Sequence, residues 1–141
     1  MGEWSIRTGR VDDVARVLAL WQVAGENADR PTDRPEALRG LLERDPDALL
    51  VAAEGGRLVG TVIAGWDGWR AHLYRLAVLP ERRRRGIARA LLEAASERLV
   101  ALGAVRLDAM VLEGNDDGRR LWASLGYSPQ PNWRRWVHQV D

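Results

Sequence analysis

The stretch that most constrains this chain is residues 73–92, LYRLAVLPERRRRGIARALL. Its apolar opening, residues 73–79, reads as a strand, and Pro80 stops it because proline has no N–H to give a ladder. Four arginines follow, Arg82, Arg83, Arg84 and Arg85, then Gly86 and a helical pattern that opens with Ile87 and Ala88. A strand that feeds a helix through a basic, glycine-containing turn is suited to an anion. The first helical turn carries N–H groups without intrahelical partners, and the helix dipole places positive potential there. Together they suit a phosphate or two linked ones. Gly86 has no Cβ, so a ligand can approach the backbone closely. The competing reading is a solvated charge run; the placement of Pro80, Gly86 and the helix start favours the phosphate site. Backbone N–H groups from Arg84 to Ala88 would make the specific contacts, and the arginine side chains would add screened attraction.

At 141 residues, 46% hydrophobic and 29% charged, the chain reads as one soluble globular domain, residues 1–141. No apolar run approaches the roughly 18 residues of a membrane span. The opening MGEWSIRTGR lacks the apolar core of a signal peptide. The expected setting is therefore the cytoplasm, with no membrane partner. The absence of cysteine excludes disulfides, thiolate metal sites and a cysteine nucleophile. His72 and His138 lie far apart and no metal-ligand spacing is present, so no metal is expected. A net charge of +1 is too balanced for nucleic-acid binding by bulk electrostatics. All 21 basic residues are arginine and phenylalanine is absent, which reads as a coding bias.

Around the central stretch, residues 4–8 make a first strand, and residues 11–24 a helix through Val14, Val17, Leu18 and Trp21. Residues 25–35 form a polar, proline-bearing loop. Residues 35–44 make a second helix, and residues 48–53 and 57–66 two strands joined at Gly55-Gly56. Asp67-Gly68 turns the chain into a strand over residues 69–79. A helix over residues 86–102, with Ile87, Leu91, Ala95, Leu99 and Leu102 on one face, ends at Gly103. A strand over 105–112, a helix over 115–125 and a closing strand over 133–140 complete the chain, with a short extra strand at Tyr127-Ser128 as an option. The implied class is α/β of the α+β type: a mixed, mostly antiparallel sheet of six to seven strands with helices on both faces. Trp66 and Trp69 flank a turn and are expected to stack across it.

Arg83-Arg84-Arg85-Gly86-Ile87-Ala88 fits the Arg/Gln-x-x-Gly-x-Gly/Ala signature and resembles the GCN5-related N-acetyltransferases. Leu76, Ala77, Val78, Leu79, Pro80 and Glu81 look like the strand that leads into it. A second segment, NDDGRRLWASLGY, is similar to the family's Asn-x-x-Ala-x-x-Leu-Tyr-x-x-x-Gly-Phe, with Asn115, Leu121, Gly126 and Tyr127 in register. The resemblance covers most of the chain. It implies acetyl-CoA as co-substrate, its pyrophosphate on the arginine turn. The implied cofactor residues are Leu76, Ala77, Val78, Arg83, Arg84, Arg85, Gly86, Ile87, Ala88, Arg89, Asn115 and Trp122. Asn115 also reads as an N-cap, its backbone capping while the side chain faces the cofactor.

Two positions depart from that pattern. Gly118 stands where alanine is usual, a change expected to matter little. Trp122 stands where the family carries a tyrosine that protonates the departing thiolate, and an indole N–H releases no proton near neutral pH. On the strand before the arginine turn, alternation places His72, Tyr74, Leu76 and Val78 on one face. Serotonin N-acetyltransferase, in the same superfamily, carries histidines on this strand that relay a proton from the amine through water. His72 and Tyr74 are similar in position and are the catalytic candidates; the alternative is a half-buried, hydrogen-bonded histidine. Glu26, Asp29 and Asp33 in the loop over residues 25–35 could attract a cationic amine or be ordinary solvated carboxylates, and Trp133 and Trp136 would border the acceptor pocket.

The resemblance implies an acetyl-CoA-dependent N-acetyltransferase of monomeric or homodimeric form, acting on a small-molecule amine or a protein N-terminus. The alternative is a non-catalytic acyl-CoA-binding sensor or interaction module. An RNA-binding use of the arginine run ranks third.

Overall fold

The computed structural model describes residues 3–25, 27 and 30–140. They fall into two compact units, residues 1–110 and 111–141. The first unit holds β1 (Trp4–Thr8), a 3₁₀ turn (Val11–Asp13), α1 (Val14–Ala24), α2 (Pro35–Arg44), β2 (Leu49–Glu54), β3 (Arg57–Trp66) and β4 (Ala71–Val78). A second 3₁₀ turn (Pro80–Arg82), α3 (Ile87–Leu102) and β5 (Leu107–Ala109) complete it. The second unit holds α4 (Asp116–Ser124).

The sheet has five strands in the order β1-β2-β3-β4-β5, antiparallel through β4 and parallel between β4 and β5. The β2–β3 hairpin closes on Gly55 and Gly56 at φ +56 and +85, a pair of left-handed residues of the kind a two-residue hairpin turn requires. Pro35 opens α2, where its missing N–H costs nothing. Gly103 ends α3.

One core lies under α1 and α2. Val14, Val17, Trp21, Leu38 and Leu42 pack on Leu49 and Val51 of β2, Leu58 of β3 and Ala77 of β4. The other face of the sheet carries α3, whose Ile87 and Leu91 side chains lie where a Cβ on Gly60 would reach, at 3.0 and 3.1 Å. Ile87, Leu91, Leu92, Ala95 and Leu99 are buried, whereas Leu102, expected on the same stripe, is exposed.

The sheet is smaller than the six to seven strands expected. Residues 133–140 and Tyr127-Ser128 form no strand. In 133–140 the large apolar residues are Trp133, Trp136, Val137 and Val140, spaced three, one and three apart. That spacing gives neither face of a strand an apolar row to bury, and all of them are exposed. The strand expected over 105–112 shrinks to Leu107–Ala109. Trp66 does not stack on Trp69. The register pairs Trp66 with Ala71, so the turn is longer than two residues, and Trp69 instead carries the Arg70 guanidinium at 4.2 Å from its ring centre.

A buried carboxylate ties β1 to α1. Asp13, 1% exposed, accepts from Arg7 Nη1 and Nη2 at 2.7 and 3.0 Å, from the Arg10 backbone N–H at 2.8 Å, and from Arg16. Arg16 in turn donates to the Gly56 carbonyl at 2.7 Å, which attaches the β2–β3 turn. The Arg7 hydrogen bond foremost, with the Arg10 amide and the charges of Arg7 and Arg16, outweighs desolvation and lowers the Asp13 pKa from 3.8 to about 2. A carboxyl with a depressed folded-state pKa stabilises the fold fully above its unfolded value and loses that contribution as pH falls through the folded one. Asp13→Asn should therefore cost about 2–3 kcal/mol at pH 7. In urea titrations the gap between wild type and variant should narrow from pH 4 to pH 2; a gap that is the same at pH 7 and pH 2 would refute the charged role of Asp13.

Candidate active site

The turn after β4 has the form the sequence leads one to expect. Arg84 and Gly86 take left-handed backbone at φ +64 and +82, and α3 starts at the next residue. Alternating hand along a turn is the conformation that aims successive N–H groups into an anion-binding concavity. Among the described residues no backbone acceptor takes the N–H of Arg84, Arg85, Gly86, Ile87 or Ala88; the first bond of α3 runs from Ala90 to the Gly86 carbonyl at 3.0 Å. A Cβ on Gly86 would meet no protein atom within 4 Å. The glycine thus serves the backbone angle, and the space above it is open to a ligand. Donors, dipole and open space all fit a diphosphate.

The arginines of the run are not equivalent. Arg82 makes a two-pronged pair with Glu54, at 3.0 and 2.9 Å, and belongs to the scaffold. Arg83 donates from Nε to the Val78 carbonyl at 3.2 Å, stitching the turn to the end of β4. Arg84, Arg85 and Arg89 are exposed.

Upstream, β4 loses its neighbour. It pairs with β5 at Ala71–Leu107, His72–Asp108 and Leu73–Ala109, and then runs on through Val78 after β5 has left it. The two strands thus splay apart beyond Leu73 and Ala109. Within the splayed half lies a β-bulge. Ile63 pairs with Tyr74 but Thr61 with Ala77, so Val62 faces both Arg75 and Leu76. Arg75 takes φ +52. Its carbonyl, turned out of the ladder, accepts from the Thr61 hydroxyl at 2.9 Å, and Thr61 accepts from Trp21 Nε1 at 2.8 Å.

The bulge corrects one sequence expectation. Because it inserts a residue, side-chain parity changes across it. His72 and Tyr74 share the α1 face with Ala77, while Val78 lies on the α3 face with Gly60. The simple alternation that joined His72 and Tyr74 to Leu76 and Val78 does not hold.

On the α1 face, His72 and Tyr74 are neighbours, their ring centres 5.8 Å apart. The Tyr74 ring rests over Gly65, where a Cβ would come within 3.2 Å of it. Asp108, opposite His72, is held by Arg106 through two 2.7 Å bonds, and that pairing, with a smaller charge contribution from His72, lowers its pKa. Asp67 is also lowered, chiefly by the Arg70 and Trp69 backbone N–H groups, with a charge contribution from His72. Imidazole and phenol thus share this face, with the Asp108 carboxylate in register with His72 on β5.

Of the loop carboxylates, Glu26 and Asp29 lie outside the described residues. Asp33 pairs with Arg75, whose guanidinium also donates to Asn27 Oδ1 at 3.0 Å and sits 4.9 Å from the centre of the Trp21 ring. Burial lowers the Arg75 pKa from its ordinary value, the Arg30 charge adding to the effect and Asp33 opposing it. Trp21, Thr61 and Arg75 were not legible as site residues. The available signal was a lone arginine inside the apolar run LYRLAV, which alternation treats as an outward-facing residue.

In the second unit Asn115 caps α4 with its side chain, Oδ1 accepting from the Gly118 N–H at 2.9 Å. The side chain rather than the backbone alone therefore does the capping. A Cβ at Gly118 would lie 2.5 Å from Asn115 Nδ2, the end of a side chain that would have to shift. Trp122 is buried and meets Tyr127 edge-on at 4.8 Å, and burial raises the Tyr127 pKa. Trp133 and Trp136 are exposed. Among the described residues no cluster of three or more His, Asp or Glu could hold a metal, and no helix is long and apolar enough to cross a membrane.

With this geometry in view, comparison with known proteins is consistent. The acetyltransferase (GNAT) family matches residues 14–127. An acetyltransferase from Pectobacterium atrosepticum is 40% identical over 125 residues, 86% of each chain. One from Yersinia pseudotuberculosis is 38% identical over 128 residues, 89% of this chain and 88% of its own. Among solved structures, an aminoglycoside acetyltransferase from an uncultured soil metagenomic sample superposes with a TM-score of 0.76 at 26% identity, covering 99% of both chains. The PaiA N-acetyltransferase of Thermoplasma acidophilum, in complex with coenzyme A, shares the fold at a TM-score of 0.80 and 18% identity, covering 91% of both.

The turn makes a graded prediction. Asparagine tolerates left-handed backbone and adds only bulk, whereas aspartate adds bulk and a negative charge. Gly86→Asn should weaken acetyl-CoA binding by about tenfold and Gly86→Asp by about a hundredfold or more, with similar thermal unfolding in the two variants. Calorimetric titration checks both; affinities equal to wild type would place the phosphates elsewhere.

Proposed function

The chain belongs to the acetyltransferase (GNAT) family and takes acetyl-CoA as its co-substrate, and we propose that it passes the acetyl group directly to an amine within a single domain spanning residues 1–141. One observation carries this reading. Among the described residues, β4 has no β5 partner after Leu73 and continues into a turn whose N–H groups from Arg84 to Ala88 have no backbone acceptor.

The roles follow from that arrangement. The backbone of Leu76, Ala77 and Val78 offers a strand edge to an extended, amide-bearing arm. The amides from Arg84 to Ala88 hold the diphosphate, and Arg83, Arg84, Arg85 and Arg89 add positive potential. Asn115 and Trp122 are assigned to the cofactor because the family match includes their segment. Bound acetyl-CoA supplies the activated acyl group, and transfer to nitrogen yields an amide and a free thiol. A backbone N–H of the splayed half of β4 is suited to polarise the acyl oxygen. An indole such as that of Trp122 can donate a hydrogen bond but not a proton, so the thiol's proton would come from solvent or from the amine itself.

An alkylamine must lose a proton before it attacks. His72 is the base we assign, because imidazole is the side chain whose ordinary range spans neutral pH. The bulge at Arg75 and Leu76 lies three to four residues along the strand from His72, roughly 10–13 Å. His72 therefore acts through water, with Tyr74 beside it on the same face.

Two measurements test this. His72→Ala should lower turnover by roughly ten- to a thousand-fold with acetyl-CoA affinity kept, and the acidic limb of the pH–rate profile should move. Unchanged turnover and an unchanged profile would make His72 structural. Separately, mass spectrometry of the protein incubated with acetyl-CoA alone should show no stoichiometric acetyl adduct, because transfer is direct. The chain has no cysteine and no lysine, so the N-terminus is the sole competing amine. A kinetically competent adduct would replace direct transfer with a covalent route.

A further inference from the structure

Arg75 is the one arginine on β4, and two features of its setting are costly. Its backbone is left-handed at φ +52, which disfavours a residue with a Cβ by about 1–2 kcal/mol. Glycine would take the same bulge without that cost. Its side chain is 6% exposed, although a guanidinium is expensive to desolvate. A position that keeps both penalties implies that the side chain returns more than the fold alone asks for.

The contacts show where that return is made. The guanidinium reaches away from the strand into the connection between α1 and α2. It pairs with Asp33, donates to Asn27 Oδ1 at 3.0 Å, and sits 4.9 Å from the centre of the Trp21 ring. Gly25 passes so close that a Cβ there would come within 2.6 Å of Arg75 Nη1. The start, middle and end of one loop thus converge on one side chain. The same residue's carbonyl is held by Thr61 and, through it, by Trp21. The loop and the bulge are one mechanical unit, and Tyr74 and His72 are its immediate neighbours on the α1 face.

We propose that Arg75 is a positioning residue for the amine acceptor: its buried guanidinium clamps the α1–α2 connection beside His72 and Tyr74, and so sets how well the amine is held, without contacting acetyl-CoA. This rests on the proposed role of His72, on the α1 face, as the base that takes the amine's proton. The ion pair with Asp33 fixes the far end of the loop, the Asn27 bond fixes its middle, and the Trp21 ring supplies a platform that orients the guanidinium plane.

The test uses the full chain and two variants that remove the clamp differently. Arg75→Gly relieves the backbone and deletes the guanidinium; Asp33→Asn leaves β4 untouched and deletes the counter-charge. Both should raise KM for the amine by about ten- to a hundredfold, with acetyl-CoA affinity within about twofold of wild type. Arg75→Lys, which keeps the charge but not the planar fork, should fall between. Amide hydrogen exchange over residues 25–34 should accelerate in Arg75→Gly and Asp33→Asn, while exchange in α3 stays as in wild type. Unchanged KM and exchange would overturn the proposal, as would a parallel loss of acetyl-CoA affinity, which would make Arg75 a residue of the general scaffold. If the wild type turns over no amine, the acetyl-transfer reading fails, and with it the acceptor role of Arg75; the exchange data would still report whether the loop is clamped.

Discussion

The site depends on one short relay of hydrogen bonds: the Trp21 indole donates to Thr61, and the Thr61 hydroxyl donates to the Arg75 carbonyl. A bulge interrupts the ladder, and a buried carbonyl that found no donor would cost about 1–3 kcal/mol. Thr61, fully buried on β3, takes the carbonyl, and Trp21 on α1 saturates the threonine. The relay lets the sheet tolerate an extra residue where β5 has already departed. Without the bulge, β4 would carry His72 and Tyr74 onto the face of Val78, under α3. With it, they lie on the face of α1 and Ala77, beside the loop that Arg75 gathers.

The arginine turn shows a second economy. As a run of like charges it looks uniform, but the protein divides it. Arg82 is consumed by Glu54 and Arg83 by the Val78 carbonyl, so the turn is braced against β2 and β4 before any ligand arrives. In the proposed function, specific phosphate recognition would fall to the backbone amides around left-handed Arg84 and Gly86. Preorganised amides cost little to offer, because no side chain has to be immobilised when the ligand binds. The remaining exposed arginines contribute a screened field. A buried carboxylate, Asp13, performs a matching role at the other end of the chain, gathering Arg7, Arg16 and the Arg10 amide where β1 hands over to α1.

Much of this was legible in the sequence. Helix spans came within a residue or two at α2 and α3, since an apolar stripe at helical spacing and a proline or glycine at the ends are local signals. The β2–β3 hairpin was announced by Gly55-Gly56, and the anion turn by Pro80, the arginines and Gly86. Each rests on backbone chemistry that a residue carries with it into any fold: proline's missing donor, glycine's missing Cβ, the unpaired amides of a first helical turn.

What the sequence could not determine was whatever depends on a partner far along the chain. The run 133–140 has strand-forming residues but forms no strand, because a ladder needs a partner that the run itself does not contain. Trp66 and Trp69 were expected to stack because they flank a turn, yet register belongs to both strands and sent Trp69 to Arg70. Most consequentially, alternation along β4 was read from β4 alone, whereas the bulge is a property of its pairing with β3, stabilised by a threonine 14 residues away and a tryptophan 40 residues beyond that. The residue types, the turn and the helices were written locally. Which face the candidate base occupies, and which residues meet Arg75, were decided by the tertiary structure, because side-chain parity in a sheet is set by hydrogen bonds between strands and no single strand contains them.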